Sequence, residues 1–492
     1  MRKGRRMWTC LLMALLMAVL SAQAAFAKPE WPSDTGVQSE AGIVVDADSK
    51  AVLFGQNIHV QKAPASITKI LTALVVIENA DLEDMVTFSH DAVYNVEEGS
   101  GNKNAIEEGD TLSVKDCLYL LLMRSSNQAA NALAEHVAGS REAFVEMMNE
   151  KTASLGCQES HFANPSGLND ETQLTSVYDM ALIGMAAYKN PTLLEISEAE
   201  SYRLPATKNN PEGVTIAPEH KLLKEGDPNY YPYAVAGKTG YTSIAGQTLV
   251  TYAVKEDRRL IAVTMKSTEA THYQDTVALL DFGFLRFQNL RVAEQEAGWL
   301  SGSESIDVEG HSFETSDLSM EENAVITIPR DAGFGDVDRT LTAELPEEHP
   351  VGAVALAVYT YNDRRVGQAY LISAAKAAEE AAKAENAQAG TDGAGAGAET
   401  SGPEDMKPEG KPGRAFAVSG KMEILFMAAA AAAVAGIGFV FWMVQKRREE
   451  ERRLLEERRR KRRQRLEEIG CSQEEFDRLL EKRKGRIREE EE

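Results

Sequence analysis

The chain predicts an α/β (α+β) layered domain, then a small all-β sandwich and one membrane-spanning helix. Three observations carry this. Strand-like runs near 40–56 and 234–265 enclose a helix-rich segment, residues 288–372 change to short alternating strands, and Ile424–Val444 is an apolar run of 21 residues without a charge. At 492 residues the chain has room for two or three domains, each with its own core.

Residues 1–27 read as a signal peptide. Arg2, Lys3, Arg5 and Arg6 open it, Trp8–Leu20 is apolar, and Ala25-Phe-Ala27 is a small-residue cleavage site. Residues 35–56 predict a strand pair, Glu40–Asp46 and Ala51–Phe54, around an Asp-Ala-Asp-Ser turn. Pro64-Ala65 opens a helix from Ser66 to Ala80, because Ile67, Ile70, Leu71, Leu74 and Val75 recur at helical spacing. Gly99–Asp110 is a polar loop, Leu112–Met123 an apolar helix, and Asn127–Val137 a second helix ending at Gly139. Strands follow at Ala234–Gly240, Gly246–Val254 and Arg259–Met265, and Tyr273–Phe284 closes a domain spanning 33–287 with a helix.

Beyond it, Ser305–Val308, Ala324–Pro329, Thr340–Leu345 and Val354–Tyr361 alternate between turn signals, as a β-sandwich over 288–372 requires. Residues 373–421 read as a stalk, first an Ala/Glu/Lys helix to Ala389, then Gly/Ala-rich chain. Twelve Lys/Arg crowd 446–465 against four in 402–421, so the positive-inside bias orients the 424–444 span with a cytoplasmic C-terminus and residues 28–421 outside.

Charge divides by compartment. The leader carries four basic residues and the tail 445–492 carries 18 basic against 15 acidic, which leaves a net −30 for the remainder of a chain at −23. Such an acidic exported surface argues against nucleic-acid binding, whereas the basic tail suits contact with anionic headgroups. Of four cysteines only Cys117 and Cys157 lie in the exported part, which is no disulfide framework; two separate small core residues are expected.

Three strings carry chemistry: Ser66-Ile-Thr-Lys69, Ser125-Ser-Asn127 and Lys238-Thr-Gly240, 59 and 113 residues apart. In a helix i and i+3 share a face, so Ser66 Oγ and Lys69 Nζ can meet, and a neutral lysine can take the serine proton. Two other Ser-x-x-Lys strings lack that setting: Ser100–Lys103 lies in a glycine loop, and Ser373–Lys376 opens an Ala-rich helix where serine reads as a cap. Ser100-Gly-Asn102 likewise competes with Ser125-Ser-Asn127, but only Ser125 sits at a junction between two helices, where side chains can face a cleft. Lys238 and Thr239 on an edge strand can bind a carboxylate while Gly240 leaves room for ligand backbone. Gly237-Lys-Thr239 resembles the end of a phosphate loop, but Pro232 stands where that motif needs glycine. The eight histidines are scattered without metal-ligand spacing, no Gly-x-Ser-x-Gly elbow is present, and no cofactor is implied.

These strings, with Pro64–Lys69, Asn164-Pro-Ser-Gly-Leu168, Ser176–Ala181 and Gly237–Thr242 in the same order, resemble the low-molecular-weight penicillin-binding proteins of the D-alanyl-D-alanine carboxypeptidase type over about 33–287. The resemblance implies a serine β-lactamase/DD-peptidase-like fold and removal of the terminal D-alanine from peptidoglycan stem pentapeptides, with β-lactams as inhibitors. It also implies the roles. Ser66 is the acylated nucleophile, Lys69 its base and Ser125 the proton relay. Asn127 holds the substrate's peptide group, Lys238 supplies positive potential and Thr239 grips the terminal carboxylate beside Gly240. The N–H groups of Ser66 and Tyr241 form the oxyanion hole. A full span with a charged tail departs from the amphipathic surface helix of many relatives. A DD-endopeptidase or transpeptidase, a β-lactamase, and a non-enzymatic wall-binding sensor remain as rivals.

Overall fold

The computed structural model describes residues 28–96, 101–302 and 304–389. Five antiparallel strands build the central sheet: β1 (Ala41–Asp46), β2 (Val52–Gln56), β3 (Ala234–Thr242), β4 (Gly246–Lys255) and β5 (Arg258–Ser267), in the order β2-β1-β5-β4-β3. They fall where the alternation predicts them. Successive side chains of a strand point to opposite faces, and here both faces are buried. Ile43, Val45, Ile261 and Val263 enter one core with the helical layer, while Val44, Leu260 and Ala262 enter another with Leu279 and Leu280.

The helical layer is inserted between β2 and β3 and contains α1 (Lys69–Asn79), α2 (Val114–Met123), α3 (Asn127–Ala138) and α4 (Val177–Lys189); α5 (His272–Arg286) covers the opposite face. Its ends follow capping chemistry. Ser113 and Asp116 close a capping box on α2, Ser126 accepts the Ala129 N–H at the start of α3, and Gly139 ends α3 at φ 79°. The α2 helix is shorter than its apolar run, because Thr111–Ser113 pairs as a strand with Met85–Thr87.

Where the sequence predicts a β-sandwich, residues 287–373 contain a six-stranded sheet and a separate hairpin. The sheet runs Phe287–Arg291, Val325–Pro329, Arg364–Ser373, Ala353–Tyr361 and Asp338–Thr342, with Leu318–Met320 also paired to Arg364–Ser373. The hairpin of Ser305–Val308 and His311–Glu314 and a helix α6 (Val292–Gly302), unread in the sequence, share its core: Val292, Ile306 and Val308 pack with Ile326, Tyr359 and Tyr361. Helix α7 (Ala374–Ala389) follows, and Ser373 caps it by accepting the Lys376 N–H at 3.0 Å. That removes Ser373 from the catalytic candidates. Among the described residues no helix is long and apolar enough to cross a membrane. The leader 1–27, the 390–421 part of the stalk, the 424–444 run and the tail lie outside the described residues.

A buried polar junction joins the two sheets. The Arg258 guanidinium donates to Asn289 Oδ1 (3.1 Å), to the Gly283 and Phe287 carbonyls (3.0 Å each) and to Asp46 Oδ2 (3.4 Å). Thr327 Oγ donates to the same Asn289 oxygen at 3.0 Å and lies 2.6 Å from Ser49 Oγ. Beside it, Trp31 packs on Phe287 and Tyr361 and donates Nε1–H to the Leu53 carbonyl at 2.8 Å. Removing one partner of a buried pair strands the other charge. Arg258→Ala is therefore expected to cost about 3 kcal/mol in urea unfolding, and more than Arg259→Ala, whose guanidinium is half-exposed although its partner Asp48 is largely buried.

Candidate active site

Ala65–Thr68 is a single 3-10 turn, and the α-helix begins only at Lys69. The sequence predicts Ser66 inside the helix. The turn arises because Ala65 is held at φ 53°, a left-handed conformation from which a regular α-helix cannot start. The change favours the chemistry, since side chains i and i+3 eclipse in a 3-10 turn. Lys69 is fully buried, and its Nζ donates to Ser66 Oγ at 3.0 Å while Ser66 itself is half-buried.

Two further acceptors meet the same ammonium. Asn127, the first residue of α3, offers Oδ1 at 2.7 Å, and the Ser166 backbone carbonyl forms a short bond. The Asn127 oxygen must be the atom facing Lys69, because an ammonium only donates. The Ser166 carbonyl is a site member that sequence reasoning missed. Its signal was the Asn164-Pro-Ser-Gly-Leu168 string, which entered only as part of the family resemblance and not as a ligand. Asn164 Oδ1 accepts from the Ser166 N–H (3.2 Å), the Ser166 Oγ–H (2.9 Å) and the Gly167 N–H (2.8 Å), so one amide oxygen sets the carbonyl's direction. Gly167 stands at φ 83°, and a Cβ there would lie 2.0 Å from the Ala65 carbonyl oxygen. The turn is thereby pressed against the residue preceding Ser66.

Ser125 occupies the junction between α2 and α3 at φ 56°, half-buried. The junction is tight: Arg124 and Ser126 both donate their N–H to the Leu120 carbonyl, at 3.1 and 3.2 Å. A non-glycine residue held there costs of order 1 kcal/mol, a strain that surrounding structure must over-determine. The rival Asn102 accepts and donates at Ile106 and closes its own loop, while Ser100 lies outside the described residues.

The third string forms the far wall. Among the described residues β3 pairs only with β4, and its other edge faces the Ser66 turn. Gly240 is required there: a Cβ would lie 2.8 Å from the Ser66 nitrogen and 2.4 Å from Thr248 Oγ. Thr248 in turn donates to the Pro64 carbonyl at 2.8 Å, which ties β4 to the same turn. Thr239 is half-buried and Tyr241 is exposed. Lys238 is buried, and its Nζ donates to the Thr239 carbonyl at 2.8 Å. Burial pushes its ammonium down to about 8, with Glu219 pulling the other way and Lys103 adding to the fall. Beneath it His220, also buried, is held down to about 3 by burial and by the Lys238 charge. Its Nδ1 faces the Leu222 N–H, so Nε2 carries the proton and donates to Thr251 Oγ at 2.9 Å. Cys117 and Cys157 are free thiols pushed upward by burial, the latter to about 12. Among the described residues no group of three or more His, Cys, Asp or Glu could hold a metal ion.

The arrangement presents a hydroxyl to a lysine amine, a second serine at a helix junction and an open strand edge with a cation. It can carry out acyl transfer. A family model described as D-alanyl-D-alanine carboxypeptidase matches residues 27–269. The chain is 27% identical over 376 residues to D-alanyl-D-alanine carboxypeptidase DacF of Bacillus subtilis, 71% of this chain and 94% of that protein. It is 33% identical over 264 residues to DacB2 of Mycobacterium tuberculosis, 52% and 84% of the two chains. The solved structure of penicillin binding protein 5 from Haemophilus influenzae superposes with a TM-score of 0.54 at 25% identity, covering 68% of this chain and 96% of that one. The Gly167 contact yields a check on the geometry: Gly167→Ala adds a left-handed alanine and a clash, and is expected to lower stability by more than about 2 kcal/mol in thermal unfolding.

Proposed function

This chain belongs to the D-alanyl-D-alanine carboxypeptidase family and is a serine peptidase of that type; we propose that it removes the terminal D-alanine of peptidoglycan stem pentapeptides through an acyl-enzyme on Ser66. The observation that carries the reading is the Lys69 ammonium lodged between Ser66 Oγ, Asn127 Oδ1 and the Ser166 carbonyl. Asn127 Oδ1 and the carbonyl can only accept. When Lys69 is neutral its two N–H bonds stay with them, and the lone pair turns to the Ser66 hydroxyl.

Substrate adds to the free edge of β3, with its terminal carboxylate at Thr239 and Lys238 and its scissile carbonyl between the N–H groups of Ser66 and Tyr241. Ser66 Oγ attacks, Lys69 takes its proton, and Ser125 passes a proton to the departing D-alanine nitrogen. Water then releases the shortened peptide. A β-lactam enters the same way, its ring amide in place of the D-Ala-D-Ala bond, and the ester it leaves on Ser66 is long-lived. The reading extends to location. Residues 28–421 face outwards, tethered by 424–444, with the basic 446–465 segment on the cytoplasmic side against anionic lipid; the uncharged run and its basic flank support this.

D-alanine release from a synthetic pentapeptide is the direct test: wild-type enzyme releases it, and Ser66→Ala falls by at least about 10³-fold. Retained release in Ser66→Ala would overturn the assignment. Lys238 sets a second expectation. A cation with its pKa near 8 attracts carboxylate below that pH and loses the attraction above it, so KM should rise on the alkaline side of about pH 8. In Lys238→Arg, whose charge persists beyond about pH 12, that alkaline rise should vanish.

A further inference from the structure

The strand that carries Lys238 and Thr239 needs holding. Among the described residues β3 pairs only with β4, and its register is irregular between Ala234 and Ala236. Gly237 follows, with no side chain to pack and a backbone freer than that of any other residue. A strand that is paired on one side, irregular and then glycine has little of its own to fix where the next side chain stands.

His220 lies against that point. It is 3% exposed, and a Cβ on Gly237 would fall 2.7 Å from its Cδ2 and 2.8 Å from its Nε2, so the ring occupies the space that the glycine leaves. Its Nε2–H reaches Thr251 Oγ at 2.9 Å, and Thr251 is the β4 residue directly opposite Gly237. The ring is itself anchored. Nδ1 accepts the Leu222 N–H at 3.3 Å at the start of the Lys221–Leu223 turn, and the Glu219 N–H donates to the Met123 carbonyl at 3.0 Å. Met123 ends α2, two residues before Ser125. The void that His220 shares with Lys238 and Thr239 is only about 10 Å³, room for one water at most. Burial and the Lys238 charge hold the imidazole down to about 3, so it stays neutral and adds no second cation beside Lys238.

We propose that His220 is a positioning residue for the carboxylate end of the substrate: tied to Thr251 through Nε2–H, its ring clamps Gly237 against β4 and so fixes where Lys238 and Thr239 stand. The proposal rests on the carboxypeptidase reading above. The clamp acts on capture of the substrate and not on acyl transfer, because Ser66 and Lys69 meet each other within their own turn.

The test uses two neutral replacements that each keep half of the histidine. Glutamine puts a donor where Nε2 stands, and asparagine puts an acceptor where Nδ1 stands. His220→Asn should raise KM for a stem pentapeptide about fivefold, the worth of one hydrogen bond, and leave kcat within about twofold. His220→Gln should rescue, with KM within about twofold of wild type. Thr251→Val, which removes the acceptor, should match His220→Asn, and the double variant should be no worse than either single one. Should His220→Asn not fold, Thr251→Val carries the same expectation. Thermal unfolding is read alongside. A role confined to the 221–223 turn would spare His220→Asn, whose oxygen still caps it, and penalise His220→Gln. Unchanged KM in His220→Asn and Thr251→Val, equal KM in the two His220 replacements, or a loss confined to kcat would overturn the clamp. The same variants are compared by the half-saturating concentration of penicillin for acylation of Ser66. If penicillin acylates Ser66 while the pentapeptide is not cleaved, the carboxypeptidase reading fails and the penicillin values still decide the clamp. If neither reacts, both fall.

Discussion

A single buried ammonium organises the site. Lys69 has no exposed surface, and a lone charge in such a place would neutralise or unfold its surroundings. Its nitrogen meets acceptors drawn from three separated parts of the chain: the Ser66 hydroxyl, the first residue of α3 and a carbonyl in the 164–167 turn. The same three contacts that stabilise the cation also aim its lone pair once it is neutral. Positioning and reactivity are thus one arrangement, to which segments inserted between β2 and β3 contribute these three acceptors.

The sheet contributes the opposite wall and fixes its distance. Gly240 lets β3 approach the Ser66 nitrogen closely, and Thr248 ties β4 to the Pro64 carbonyl, so the sheet and the nucleophile's turn are held together. Two strained backbone positions lie at the site. Ala65, which precedes Ser66, and Ser125 both adopt left-handed backbone without being glycine. The cost is carried by the buried cores on the two faces of the sheet, which hold these residues in place more firmly than their own torsional preference displaces them.

Much of this was legible in the residues. The continuous apolar runs Ile43–Val45 and Leu260–Val263 suit a sheet buried on both faces, and the three strings declare the polar groups by type and order. Ser373 was readable as a cap because it opens a helix of alanines. What escaped had a physical reason. Helix α6 is short and only weakly patterned, and it is stabilised by packing on the second sheet. The 3-10 turn at 65–68 depends on Gly167 pressing against Ala65 from about a hundred positions away. The Ser166 contribution escaped because it is made by main chain, about which side-chain identity is nearly silent. The Asn164 and Gly167 that flank it carried the only trace.

That main-chain ligand bears on how the enzyme can change. A carbonyl belongs to every residue, so no codon substitution at 166 can delete it, and Ser166→Ala would remove only the hydroxyl's own bonds to Asn164 and the Leu168 N–H. The vulnerability is displaced onto its neighbours. Asn164 aims the group and Gly167 admits it, and neither touches the reacting atoms. Variants that slow this enzyme without altering any reactive side chain should therefore accumulate on either side of 166, and a catalogue of its chemistry built from side chains alone would miss where the lysine is held.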